Sequence, residues 1–358
     1  YAIILGHIIG GILLFGAGLI GGRLRQGSMN TTAFSFGPLG AKGFAFLNML
    51  QLIGWTSIMI YDAMLALQEL APLSPMIWTI AIGALVILWL FIGLHNTGYI
   101  QAIVSILLLG LTLYMGAHMI SQWPSEGILL TSGNMSFIAA LELSIAMPLS
   151  WLPLISDYTR ESKKPFSASL TSATVYTVTS IVMYTLGLSA AIFGGGDSII
   201  TIMMNAGLGL AGLIVIIFST VTTTFMDAYS AGVSSTTIYN GASSKGIAVI
   251  VTIVGTIAAI LYPMDDITDF LYLIGSVFAP MIAILLADYF INRQQVQTLS
   301  AYLVRGLIWA VSVGLYHYML HSESTIGATL PAFTMAFVVT AIVGFISKTA
   351  HTSAEIKQ

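Results

Sequence analysis

Residues 219–232 read STVTTTFMDAYSAG and follow LAGLIVIIF, a run apolar enough for hydrocarbon. On a helix Ser219, Thr222 and Thr223 occupy i, i+3 and i+4 and so share a face, with Asp227 one turn beyond Thr223. Hydroxyls in membrane helices often bond back to a carbonyl one turn earlier. Three of them below a carboxylate also suit a small hard cation held by oxygens. Transporters place such ions between the hydroxyls of one helix and the freed carbonyls of a broken one. An ionisable residue inside a membrane is expensive, which marks Asp227 as a functional candidate.

Two further stretches carry chemistry. In NMLQLIGWTSIMIYDAML (48–65), Gln51, Trp55, Ile58 and Asp62 follow one helix face. An indole can stack on a flat ring while an amide pairs with its polar edge. In ELSIAMPLSWLPLISDYTR (142–160), Pro148 and Pro153 bracket Ser150 and Trp151 inside an apolar span. Each proline removes a donor and crowds the preceding turn, so the spacing predicts an interrupted helix. Freed backbone groups at that depth are tolerated where they line a cavity. Glu142 is a further acid within the span, and Asp157 with Arg160 at its inner end reads as an interfacial ion pair. His317 and His321 stand one turn apart, but a metal needs further ligands and none accompanies them. The Gly194–Gly196 run reads as a loop rather than a phosphate cradle, since no Lys-Ser/Thr follows.

The elements that must position these groups are membrane helices. The chain has 358 residues, 57% hydrophobic and 7% charged, with a mean hydropathy of +0.94. Soluble domains carry about 25% charged residues. With no cysteine, disulfides, zinc–thiolate sites and thiol nucleophiles are excluded. Apolar runs of about 20 residues give some eleven spans: 1–22, 44–70, 75–94, 98–120, 136–156, 166–193, 208–240, 246–262, 267–291, 301–320 and 327–347. Glycines 10–22 read as close helix packing through small residues.

Threading the chain back and forth puts Arg23, Arg25, Lys42, Arg160, Lys163, Lys164, Lys245, Arg293, Arg305, Lys348 and Lys357 on one side. The opposite connections hold PLSP, SQWPSEG, GGGDS, PMDD and HSESTIG, with acids and no bases. Positive charge stays cytoplasmic, so the C-terminus is expected inside and Tyr1 outside. One further helix before Tyr1 is then the expectation, for about twelve spans in the parent.

The motifs TTAFSFG (31–37), QLIGW (51–55), SDYTR (156–160), TTTFMDAYSAG (222–232) and ADYFINR (287–293) together resemble the nucleobase–cation symporter-1 family. Within it they look most like the bacterial hydroxymethylpyrimidine permeases. The resemblance runs from Tyr1 to about Lys348 and begins at the family's second helix. It implies an all-α polytopic membrane protein with the leucine-transporter-like fold, in which the first and sixth helices are broken. Residues 1–358 would form a single transmembrane domain. Within it, 1–120 would be the remainder of the first inverted five-helix repeat, 136–291 the second repeat and 301–347 two extra helices. The family's first helix would be absent.

The family's eighth-helix sodium positions fall on Ser219, Thr222 and Thr223, and its third-helix stacking tryptophan on Trp55, with Gln51 a turn before it. Where the family has a second aromatic, this chain has Pro148, which leaves Trp151 as the nearest stacking surface. Asp227 stands where relatives often carry asparagines, and could meet an exocyclic amine or take a proton.

The expectation is a symporter, not an enzyme, in the cytoplasmic membrane. Its substrate would be a small pyrimidine such as hydroxymethylpyrimidine or a cytosine-like ring. Trp55, Gln51, Trp151, Ser150, Asp227 and Asp62 would contact the substrate, and Ser219, Thr222 and Thr223 a sodium ion. The coupling ion is sodium or a proton, with no organic cofactor. The partners are the substrate and the lipid bilayer, with no nucleic acid, and the chain is a monomer. An amino-acid or amine transporter of the same fold, or a channel, are the alternative readings.

Overall fold

A computed structural model describes residues 1–92, 94–121, 135–193, 209–322 and 325–355. The Gly194–Gly196 run and most of SQWPSEG lie outside the described residues. The long helices are α1 (Ala2–Leu24), α3 (Ala33–Leu70), α4 (Pro75–Ile92), α5 (Leu94–Ser121), α6 (Phe137–Thr159), α7 (Pro165–Phe193), α8 (Gly209–Ile238), α9 (Ser244–Leu261), α10 (Ile267–Leu286), α11 (Leu299–His321) and α12 (Thr329–Glu355). A single turn, α2 (Ser28–Thr31), precedes α3, and a π-helical turn over Ala287–Asn292 continues α10. Each long helix falls on one of the spans expected from hydropathy. Ten are long and apolar enough over their described residues to cross a membrane; in α5 the described apolar part is Gln101–Tyr114.

The helices sort into two compact units. The first comprises Tyr1–Asn48, Asn134–Thr179 and Thr268–Gln358, the second Met49–Gly133 and Ser180–Ile267. Within hydrocarbon, apolar side chains gain little by leaving lipid, so helices associate through close packing and hydrogen bonds.

In the first unit α1 lies along α6 at a distance that only glycines permit. A Cβ at Gly6 would sit 2.5 Å from Ser144 Cβ, one at Gly10 2.7 Å from Pro148 Cβ, and one at Gly21 would meet Ser156. The close approach lets α6 hydroxyls donate to the carbonyl ends of α1: Ser156 Oγ to Ala17 O at 3.0 Å and Thr159 Oγ1 to Gly18 O at 2.8 Å. The glycine-rich first span is thus a packing surface, as its composition suggests.

The expected break in α6 is not there. The helix runs unbroken from Phe137 to Thr159 through both prolines. Each proline deletes one backbone donor, and polar side chains supply replacements nearby. Ser150 Oγ and Tyr176 Oη both donate to Met147 O, at 2.7 and 3.2 Å, and Asn48 Nδ2 donates to Pro153 O at 3.3 Å. The expected Asp157–Arg160 pair is also replaced. Asp157, buried, accepts from Ser28 N–H at 2.8 Å at the start of α2, while Arg160 pairs with Glu161 at 3.2 Å. Orphan N–H groups at a helix start favour a carboxylate.

At the far end of α6, Glu142 serves α12 in the same way. Its Oε2 accepts from Thr329 N–H at 2.9 Å and from Thr329 Oγ1 at 2.5 Å. The π-turn after α10 holds a buried ionic cluster. Asp288 accepts from Arg305 through both oxygens (Nη2–Oδ1 3.0 Å, Nε–Oδ2 3.3 Å) and from Asn292 Nδ2 at 2.8 Å. Asn292 in turn donates to Thr340 O at 3.1 Å, and Lys348 Nζ donates to Asn292 O.

Gly37, the end of TTAFSFG, interrupts α3 near its start with φ 69°. A Cβ there would sit 2.7 Å from the Tyr302 ring, whose hydroxyl donates to Val296 O at 2.8 Å. Gly37→Ala should therefore lower stability by about 1–3 kcal/mol. A thermal unfolding midpoint equal to that of the parent would contradict this account of the kink.

In the second unit one apolar face each of α3, α4, α8 and α9 meets in a common core. Ile60, Leu67, Val86, Trp89, Val221, Phe225 and Ala259 are buried there. Small residues again set the spacing, with Gly83 against Thr256 and Gly255 against Thr56.

Candidate functional site

The hydroxyl-rich stretch lies in the middle of α8. At about 100° per residue, Val221, Phe225 and Ala228 share the side that enters the second unit's core. Ser219, Thr223 and Asp227 fall on the opposite side. Thr222 and Thr223 both donate to the Ser219 carbonyl, at 3.0 and 2.9 Å. The back-bonding common to membrane helices is therefore realised. It fixes both hydroxyl hydrogens and leaves the oxygen lone pairs turned outward. Ser219, Thr222 and Thr223 thus offer neutral oxygens within one helical turn, a donor set that fits a hard cation and has nothing to offer a soft one.

Asp227 is buried, and among the described residues its carboxylate makes no hydrogen bond or ion pair. The Thr224 hydroxyl is likewise buried without a partner. On α3 the Thr56 hydroxyl shares that condition. Thr224 and Thr56 were not singled out from the sequence, where they look like the neighbouring hydroxyls. Only the absence of a carbonyl or side-chain partner distinguishes them.

On α3, Gln51 and Trp55 are buried, with relative exposures of 5% and 9%. Helical phase puts them on the side away from Ile60 and Leu67, the core-facing residues. Asp62, further along the same row, is exposed. Its neighbour Tyr61 hydrogen-bonds Asp265 through the phenol. The row is therefore split: its first two members sit in a buried polar setting, and its last joins an acidic end of the unit.

Ser150 and Trp151 belong to the first unit. Ser150 is buried and committed to Met147 O. Trp151 is half-buried, its ring 5.7 Å from that of Tyr176 at a tilt of 52°. Among the described residues no group of three or more His, Asp and Glu side chains gathers as a metal site. His321 Nδ1 lies 2.7 Å from His317 O.

Residues 1–356 match the family described as permease for cytosine/purines, uracil, thiamine, allantoin. The chain belongs to this permease family. Cytosine permease of Escherichia coli (strain K12) is 22% identical over 321 residues, spanning 88% of this chain and 76% of that protein. Among solved structures, the permease superposes on the closed, bromovinylhydantoin-bound form of Mhp1, a nucleobase-cation-symport-1 family transporter. The TM-score is 0.79 at 17% identity, over 97% of this chain and 85% of that one. A Na+-coupled sialic acid symporter gives 0.71 at 16% identity, over 97% and 83%. The permease thus has the leucine-transporter-like fold of these symporters. It is a multi-pass membrane transporter of nucleobase-like substrates and not an enzyme.

Proposed function

We propose that the permease imports a small aminopyrimidine, hydroxymethylpyrimidine or a cytosine-like ring, by symport with sodium or a proton. In this reading residues 1–120 and 136–291 are the two repeats and 301–347 the extra helices. The protein works as a monomer in the cytoplasmic membrane with its C-terminus inside. The observation that carries the reading is a pairing of chemistries in one unit: a buried indole and amide on α3, and a buried carboxylate without a partner among the described residues above oxygen donors on α8. A flat ring with donors and acceptors on its edge uses the first three, and a hard cation uses the last. The cytosine permease relatives agree with an aminopyrimidine.

Trp55 stacks on the ring and Gln51 pairs with its edge. Asp227 accepts from the exocyclic amine or takes the coupling proton. Ser219, Thr222 and Thr223 hold the sodium ion through oxygen, and the ion supplies positive charge that favours the occupied state. Trp151, Ser150 and Asp62 are proposed as further substrate contacts, each to be tested singly. If substrate and ion both favour the same conformation, each raises the other's affinity by the same factor.

The decisive test is uptake of a labelled pyrimidine panel into vesicles under imposed sodium or proton gradients. Saturable, gradient-driven uptake of an aminopyrimidine is expected. Uptake that rises linearly without saturation would point to a channel. Preference for an amino acid over every pyrimidine would replace the substrate class. Within the same assay Thr223→Ala should raise the sodium concentration for half-maximal uptake by about tenfold, on the order of one lost charge-assisted contact. An unchanged sodium response would remove Thr223 from the ion site.

A further inference from the structure

At the end of the spans where Lys and Arg concentrate, the first unit contains a recess of about 390 Å³ lined by Arg23, Phe34, Tyr289, Phe290 and Arg293. Its walls are fixed by the backbone. Val296 N–H donates to Phe34 O at 3.0 Å, pinning the segment after the π-turn against the start of α3. Phe34 packs on Tyr289 with centroids 5.5 Å apart, and Tyr289 meets Phe290 edge-on at 5.0 Å. Arg293 follows the π-turn in the left-handed conformation, φ 52° and ψ 35°, and its Nε donates to Phe290 O at 3.4 Å. Arg23 enters from the last turn of α1.

Both arginines are exposed. Among the described residues neither pairs with a carboxylate; the ion pairs there are Arg160–Glu161 and Arg305–Asp288. No acid lines the recess. Two guanidinium groups beside each other without an acid repel one another and favour a shared anion. Their planar forks match the oxygens of a phosphate. The three aromatic rings supply an apolar floor, which a free phosphate does not use but the glycerol and first methylenes of a lipid do. Basic recesses between spans at the headgroup level are suited to anionic lipids.

We propose that this recess binds the phosphodiester headgroup of an anionic phospholipid, held between Arg23 and Arg293 with its glycerol against Phe34, Tyr289 and Phe290. The site is separate from the transport residues and does not depend on their assignment.

The test uses the full chain purified and reconstituted in nanodiscs of mixed phosphatidylcholine and phosphatidylglycerol, with retained lipid counted by native mass spectrometry. Phosphatidylglycerol should be retained over phosphatidylcholine by about tenfold or more, from two arginines at the surface. The Arg23→Gln/Arg293→Gln variant should lose that preference, and Arg23→Lys/Arg293→Lys should keep part of it. The Lys163→Gln/Lys164→Gln variant, which removes exposed charge elsewhere, should retain it in full. Adding millimolar inorganic phosphate should leave the retained lipid unchanged. Displacement of the lipid by phosphate alone would assign the recess to a free anion and overturn the lipid. Equal retention of both lipids by the parent, or equal loss in the arginine and lysine variants, would overturn the site.

Discussion

Replacing Arg305 by alanine should cost about 3–5 kcal/mol of stability, because it strands the buried Asp288 carboxylate without its cation. Both partners are buried, and the pair is bidentate. The same carboxylate holds Asn292, which ties the π-turn to Thr340 on α12. Loss of Arg305 therefore loosens α11, α12 and the end of α10 together. Replacing the whole pair tests the cause. Asp288→Leu/Arg305→Met should recover most of the loss, since a well-packed apolar pair is often no worse than a buried ionic one. Thermal unfolding in detergent reads both results. A double variant as unstable as the single one would mean that packing around Arg305, and not charge, is what matters.

The second large effect is on function. Trp55→Ala should weaken pyrimidine binding by about 1–3 kcal/mol, roughly 5- to 150-fold, the range for removing an aromatic platform from under a base. Trp55→Phe, which keeps a smaller platform, should fall between alanine and the parent. Equilibrium binding of labelled pyrimidine to the purified permease measures this without requiring transport. If Trp55→Ala binds as tightly as the parent while unfolding at the same temperature, the indole is a packing residue and the ring lies elsewhere.

How far the sequence led can be judged residue by residue. The helices were legible because in a membrane protein length and apolarity decide them: a run of about 20 apolar residues has few other fates. The glycines of α1 were legible for the same reason, since small residues are what close packing in lipid requires. The course of α6 was not. Pro148 and Pro153 carry a strong local preference for a break. What offsets it comes from residues far along the chain, Tyr176 and Asn48, whose donors reach the Met147 and Pro153 carbonyls. Asp157 misled in a related way. Arg160 lies one turn away in sequence, but the unpaired N–H of Ser28 lies closer in space. On α8 the spacing of Ser219, Thr222 and Thr223 was read from the sequence, and the structure adds their shared acceptor. Which of the five hydroxyls in 219–224 lacks a carbonyl of its own could not be read from type or spacing, and Thr224 emerged only with coordinates.

The six-residue π-turn at Ala287–Asn292 has an arithmetic consequence. Such a turn amounts to one residue more than an α-helix of the same rise would hold. Deleting a single residue from it could restore ordinary winding at little cost to the backbone. The remainder of the chain would then be rephased by about 100°. Asp288 and Asn292 could no longer both meet their partners, and Arg293 would swing out of its recess. The surplus residue is thus the setting that keeps an internal charge pair and a peripheral cation in register. A one-residue deletion there should be far more damaging than any substitution of the apolar Phe290 or Ile291 beside it.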